Sequence, residues 1–144
     1  MSRKTMLGLM ATAIMLTGAF VAGCSNKEKA ASKAAIAAAE SWLAMVDRGE
    51  YAQSWDQAAE AFKGALTKKN WEDALNGTRQ PLGKTISRKV IKSKYATSLP
   101  GAPDGEYVVI QFETSFENKK SAIETVTPML DKDGNWRVSG YFIK

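Results

Sequence analysis

From Tyr107 to Lys144 the chain reads YVVIQFETSFENKKSAIETVTPMLDKDGNWRVSGYFIK, and this stretch decides the fold. In its first part Val108, Ile110, Phe112, Thr114 and Phe116 share one face. Val109, Gln111, Glu113, Ser115 and Glu117 share the other, the period of two that marks a half-buried strand. After Asn118, Lys119 and Lys120, the segment Ser121 to Leu130 carries Ile123, Thr125, Val126 and Thr127, β-branched residues that suit a second strand. Asp131 to Asn135 contains Asp133-Gly134, the chemistry of a tight hairpin turn. Beyond it Trp136, Val138 and Phe142 alternate with Arg137 and Ser139 as a third strand. A meander with one apolar face does not stand alone in water, so the preceding residues must supply a covering layer.

Working back from Tyr107, Leu99-Pro100-Gly101-Ala102-Pro103-Asp104-Gly105 is too rich in proline and glycine for regular structure. Gly83 to Ala96 predicts a further strand whose phase changes: Ile86 and Val90 share a face, then Ile91 and Tyr95 take over. Adjacent apolar residues at Val90-Ile91 therefore predict a β-bulge and a curved sheet. Pro81 and Gly83 close a helical half. There Thr67 caps a short helix carrying Trp71, Ala74 and Leu75 that stops near Asn76-Gly77. Tyr51, Trp55, Ala58, Ala59, Phe62 and Leu66 form one apolar stripe of a second helix. A first, alanine-rich helix runs from Ser32 with Ile36, Ala39, Leu43 and Val46, and Gly49 caps it after Asp47-Arg48.

At the start of the chain, Arg3 and Lys4 precede an uncharged run from Thr5 to Ser25, and Val21-Ala22-Gly23-Cys24 supplies small residues ahead of a cysteine. A positive start, a short greasy core and a small-residue exit are the parts of a secretory signal peptide, expected over 1–23. The four residues ending at Cys24 resemble the bacterial lipobox, which implies a lipidated, N-acylated cysteine after cleavage. Several acyl chains, each methylene contributing about 0.8 kcal/mol, hold a protein stably where one chain does not. Ser25 after the cysteine implies the outer membrane, facing the periplasm, in a host with two membranes. Cys24 is the only cysteine, so no intramolecular disulfide forms. Residues 24–31 are expected as the lipidated cysteine and a polar tether, about 20 Å long if extended.

Removing residues 1–23 from the 144 leaves 121, enough for one α+β domain over 32–144, and lowers the formal charge from +5 to +3 as Arg3 and Lys4 depart. A mild positive balance on an exported protein points to anionic headgroups or cell-wall polymers rather than nucleic acid.

The chain contains no histidine, which removes the commonest general base, the usual nucleophile triads and the commonest metal ligand. Asp131-Lys132-Asp133-Gly134-Asn135 is read as a turn and not a calcium loop, because the glycine comes early and Phe142 stands where a loop needs glutamate. No metal and no cofactor is expected. Lys84, Arg88, Lys92 and Lys94 lie on even positions of the first strand, with Lys89 beside them. They read either as an anion-binding patch or as a solvated face that discourages edge pairing. Glu124, in phase with Val126 and Leu130, either points into an apolar cavity as an acid or base, or faces water at the sheet edge or pairs with a lysine. Tyr51, Trp55, Phe62 and Trp71 are expected in the core.

Three helices packed on a curved four-stranded antiparallel sheet resemble the cystatin-like cone of the nuclear transport factor two and ketosteroid isomerase superfamily. Trp42-Leu43, Asp47, Gly49 to Tyr51, Ser54-Trp55, Trp71, Arg79-Gln80-Pro81-Leu82-Gly83, Leu99-Pro100-Gly101 and Asp133 to Tyr141 resemble a bacterial family of small lipoproteins and exported domains of unknown function, over about Ala34 to Lys144. The first resemblance implies a pocket for a small ligand or for isomerase or lyase chemistry, or else a plain core whose outer sheet face binds a partner or a second copy. In the enzymatic version Glu124 is the acid or base and Tyr95 the donor. Under the non-enzymatic version, an envelope lipoprotein binding a partner protein or small ligand, Glu124→Gln is expected to leave stability almost unchanged.

Overall fold

A computed structural model describes residues 20–144, with side chains from Asn26 onward. The signal segment before residue 20 and the Cys24 side chain lie outside the described residues. The order of elements is α1 (Phe20–Asp47), α2 (Tyr51–Asp56), α3 (Glu60–Ala65), α4 (Lys68–Thr78), a 3-10 turn (Gln80–Leu82), β1 (Thr85–Ala96), β2 (Tyr107–Phe116), β3 (Lys119–Leu130) and β4 (Trp136–Ile143). The strands pair antiparallel in the order β1-β2-β3-β4, an open meander, and the helices cover one face of it.

The α+β class and the four strands are as expected. The helices number four among the described residues, because the stripe from Tyr51 to Leu66 is divided between α2 and α3. The backbone turns extended at Ala59, and its N–H donates to the Val138 carbonyl at 2.8 Å instead of to a helical partner. Ala58 and Ala59 are thereby wholly buried, while Tyr51 and Phe62 keep the inward positions the periodicity assigned to them. The same hydrogen bond covers part of the β4 edge. Thr67 caps α4 as expected, its Oγ1 accepting from the Asn70 N–H at 3.2 Å.

α1 begins before the expected tether. Residues 25–31 are helical, and Ala31 is buried against the body of the domain. Lys27, Glu28, Lys29, Ala30 and Ala31 are all strong helix formers, and their propensity outweighs the polarity that suggested a flexible link. The far end of α1 closes in a Schellman motif: Glu50 N–H bonds to Met45 O and Gly49 N–H to Val46 O, both at 3.0 Å, with Gly49 at φ 74°. α1 lies across all four strands. Its small residues Ala35 and Ala39, both wholly buried, let the backbone approach the sheet closely, and Leu43 and Val46 fill the wider part of the layer.

Of the four register irregularities in the strand pairing, two decide which side chains face the helices. In β1 the pairing passes from Val90↔Phe112 to Lys92↔Gln111, so Ile91 is the extra residue, as Val90-Ile91 predicted. In β4 the pairing passes from Pro128↔Val138 to Thr127↔Gly140, leaving Ser139 as the extra residue. This second bulge reverses the expected phase beyond Val138. Tyr141 points inward, and Phe142, expected on the covered face, is 61 % exposed. The Pro/Gly-rich segment before β2 folds over the start of that strand and buries Tyr107, whose hydroxyl donates to the Pro103 carbonyl.

Gly83 joins the helical half to β1 at φ 76°, and a Cβ there would meet Glu117 Oε2 at 2.6 Å and Glu117 Cβ at 3.0 Å. Glu117 Oε2 also accepts the Lys84 N–H at 2.8 Å, so the carboxylate is not free to move away. Gly83→Ala is expected to lower stability by about 1–3 kcal/mol, more than Gly49→Ala, which meets no neighbour and carries only the backbone cost. Urea denaturation of both variants checks the ranking, and equal losses refute the close approach.

Candidate functional site

Four ionic side chains meet between the C-terminal end of α1 and the covered face of the sheet. Asp47 closes the last turn of α1, where a carboxylate adds to the partial negative charge of the helix end and therefore needs cationic partners. Arg88 reaches it from β1 as a two-pronged pair, Nη1 to Oδ2 at 2.6 Å and Nη2 to Oδ1 at 2.9 Å. The other edge of the same guanidinium donates from Nε to Glu124 Oε1 at 2.7 Å. Arg79, 3 % exposed, sends Nη2 to Asp47 at 3.2 Å and to Thr85 Oγ1 at 3.1 Å, and Nη1 to the Gly83 carbonyl at 2.7 Å. Its guanidinium carbon lies 4.5 Å from the centre of the Phe116 ring.

Glu124 is 0 % exposed. Thr114 Oγ1 donates to its Oε1 at 2.6 Å, and the Tyr141 hydroxyl donates to Oε2. With Arg88, three donors surround the carboxylate, so it is neither in an open cavity nor at a water-facing edge. It does pair with a cation, but with a buried arginine and not a surface lysine, because β3 is an inner strand and its position faces the helices. Tyr95, the expected partner, is elsewhere: its hydroxyl donates to Glu106 Oε1 at 2.7 Å, and Lys27 stands 3.1 Å from the same oxygen. That cluster latches the first described turns of α1 to the start of β2.

Above Glu124 the layer is filled by rings. Trp42 and Tyr141 meet edge to face at 5.3 Å, Phe62 and Trp71 at 5.0 Å, and the two indoles lie 5.8 Å apart. Ser54, wholly buried, serves both indoles: its carbonyl accepts from Trp42 Nε1 at 2.8 Å and its hydroxyl from Trp71 Nε1 at 2.9 Å. Trp71 was expected in this core and stands in it. Ser54, Asp47, Arg79 and Tyr141 escaped a reading by residue type, although a carboxylate in the last turn of a helix was a signal that a cation waits beside it.

The electrostatics favour charged, fixed partners. Burial works to lower the Arg88 pKa, but its hydrogen bonds to Asp47 and Glu124 and the charge of both carboxylates outweigh it and raise the value. Burial first, then the charge of Glu124, pushes the Tyr141 phenol well above its ordinary range, so it remains a donor. Burial also works against the charge of Asp47, yet the hydrogen bonds and charge of Arg88, with Thr85 and Arg79 helping, hold its pKa below the usual carboxylate value.

The four basic residues expected to form one patch are separated. The Ile91 bulge leaves Arg88 opposite Thr114 on the covered face and places Lys92 and Lys94 opposite Gln111 and Val109 on the open face. Lys84 lies just before β1. In the β3–β4 turn, Arg137 holds Asp131 at 3.0 Å and Asp133 at 2.7 Å. Among the described residues there is no grouping of three or more side chains suited to a metal ion.

A family model described as "Protein of unknown function (DUF4019)" matches residues 38–141, a span that contains every member of the buried ionic network. No curated protein and no solved structure gives a significant match.

Contrary to the expectation from sequence, Glu124→Gln is expected to cost roughly 2–4 kcal/mol, because it leaves Arg88 buried against a neutral amide. With Arg88→Met added, the loss is expected to fall short of the sum by at least about 1 kcal/mol, and additive losses in urea denaturation refute the coupling. Asp47 sets the acid response. Its folded pKa lies below the unfolded value of about 3.9, so its contribution is complete above that value and disappears as pH falls through the folded pKa. The stability gap between wild type and Asp47→Asn is therefore expected to be widest near neutral pH and to close below about pH 4. A gap that stays constant down to about pH 2 refutes the assignment.

Proposed function

The chain belongs to the DUF4019 family, and we propose that it is a lipid-anchored envelope protein whose folded domain binds a partner protein or small ligand through its outer surface, without catalysis in its interior. The observation that carries the non-enzymatic half is the enclosure of Glu124. An acid or base must come within about 3 Å of a substrate atom. Here Arg88, Thr114 and Tyr141 occupy those positions, and solvent does not reach the carboxylate. Trp42, Trp71, Phe62 and Tyr141 fill the space that a ligand pocket between helices and sheet requires.

The anchored half rests on Val21-Ala22-Gly23-Cys24 after a positively charged, uncharged-core leader. Among the described residues no helix is long and apolar enough to cross a membrane. Acylation at Cys24, in the outer membrane of a host with two membranes and facing the periplasm, is the reading that this motif supports. The helices laid over a four-stranded meander support the likeness to the cystatin-like cone of the nuclear transport factor two and ketosteroid isomerase superfamily, in a version whose interior is core.

Cys24→Ser is expected to abolish incorporation of radiolabelled fatty acid and to leave an unprocessed precursor or an unanchored form. Labelling that persists in the variant refutes the anchor. For the interior, a lyase or isomerase screen of the purified protein is expected to find no turnover, and a reproducible activity lost in a folded Glu124→Gln protein refutes the non-enzymatic reading.

A further inference from the structure

α1 is helical through Cys24, so an anchor there is joined to the domain by a helix and not by a flexible link. With a rise of about 1.5 Å per residue, Lys29 and Lys33 stand about 8 and 14 Å along the axis from residue 24. The first described turns are also tied down, since Lys27 pairs with Glu106 and Ala31 is buried. Residues near this end of α1 are thus held close to whatever surface Cys24 is attached to.

A groove of about 780 Å³ opens there between α1 and the edge strand β1. Ile36 and the ring of Tyr95, both half-buried, line it as apolar surface, the exposed Lys29 and Lys33 stand on its α1 side with Glu28, and β1 borders it from Ser93 to Tyr95 with Lys94 turned to the open face. Lys29 and Lys33 are one helical turn apart, a like-charge spacing that costs an isolated helix a few tenths of a kcal/mol. Among the described residues neither Lys29 nor Lys33 lies within ion-pair distance of a carboxylate. Glu106, the nearby acid beyond the groove, is already engaged by Lys27 and Tyr95. Two unpaired ammonium groups beside an apolar base fit an anionic amphiphile better than a free ion.

We propose that this groove docks the headgroups of anionic phospholipids in the membrane that holds Cys24, an inference that rests on the anchored reading for its placement. The ammonium groups of Lys29 and Lys33 meet the phosphates, and Ile36 with Tyr95 meets the glycerol and the first methylenes. The domain is then seated on the bilayer with its α1–β1 edge inward, which leaves the open sheet face and the β2–β3 turn toward solvent.

The test is lysine footprinting of the full chain in vesicles of neutral phospholipid or of neutral phospholipid mixed with phosphatidylglycerol, using an amine-reactive reagent and mass spectrometry. Lys29 and Lys33 are expected to react about fivefold more slowly in the anionic vesicles, the ratio that one lysine near such a surface carries. Lys119 and Lys120, at the far turn, are expected to react equally in both. High salt is expected to reverse the protection. Equal reactivity of Lys29 and Lys33 in both vesicles overturns the proposal, and so does equal protection by inorganic phosphate alone, which would make the groove a site for a free anion. Intact-mass analysis of the same sample reads the anchor separately. An unacylated protein whose Lys29 and Lys33 are still protected when anionic vesicles are added refutes the anchor and keeps the groove. An acylated protein with unprotected lysines does the reverse.

Discussion

Arg88 joins the two layers of this domain. Its guanidinium presents one edge to Glu124 on β3 and the other to Asp47 at the end of α1, so one side chain fixes the helix terminus relative to two strands. A planar fork with donors on both edges does this where a lysine ammonium cannot. The arrangement is costly in isolation, since Arg79 and Glu124 are buried and Arg88 and Asp47 are largely withdrawn from water, and such clusters contribute little net stability compared with a well-packed apolar set. The formal charges balance, with Asp47 and Glu124 against Arg79 and Arg88, and nearly all the polar atoms find partners. The exception is Arg79 Nε, which has none while the rest of its guanidinium stacks on Phe116. What the cluster supplies above all is register: a slip of β1 by one residue would turn Arg88 to the open face and leave both carboxylates buried without it.

The apolar pattern made most of the architecture legible. The period of two in β2 assigned every inward residue correctly, including Thr114, because an inner strand without a bulge keeps one phase from end to end. The helical stripe from Tyr51 to Leu66 gave the right buried faces but the wrong continuity, since the break at Ala59 is imposed by a hydrogen bond to Val138, a residue 79 positions away in sequence. β4 was misread for a similar reason. Nothing in Trp136 to Ile143 marks Ser139 as an extra residue, and that one insertion exchanges Tyr141 and Phe142 between faces.

The candidate site was legible in its parts and not in its assembly. The phase of β3 placed Glu124 beside Val126, and the doublet Val90-Ile91 announced the bulge in β1. Carrying that bulge through the strand separates Arg88 from Lys92 and Lys94 and puts an arginine and a glutamate on the same covered face, two strands apart. Charges of opposite sign at inward positions of one sheet are far cheaper paired than alone, so the pair follows from the pattern once the phase change is applied. Asp47 needs a further step, from the polarity of a helix end to the cation that must compensate it. Tyr95 and Glu124 had no such link, and they lie apart in the sheet, Tyr95 opposite Val108 near the start of β2 and Glu124 opposite Phe112 in its middle.

The Ile91 bulge also divides β1 by role. Before it, Arg88 turns inward and is consumed by the packing of helix on sheet. After it, Lys92 and Lys94 turn outward on an edge strand that no other strand covers. An edge needs charge to resist pairing with another chain, and lysines meet that need wherever they stand along it. Protection of the edge does not explain why Lys29 and Lys33 stand beside the apolar groove next to it, on a helix whose spacing sets their charges against each other. Solvation would be served as well by a glutamate at Lys33, which would pair with Lys29 four residues earlier. The positive groove therefore has a cost that the fold itself does not require, and a surface of opposite charge is what removes it.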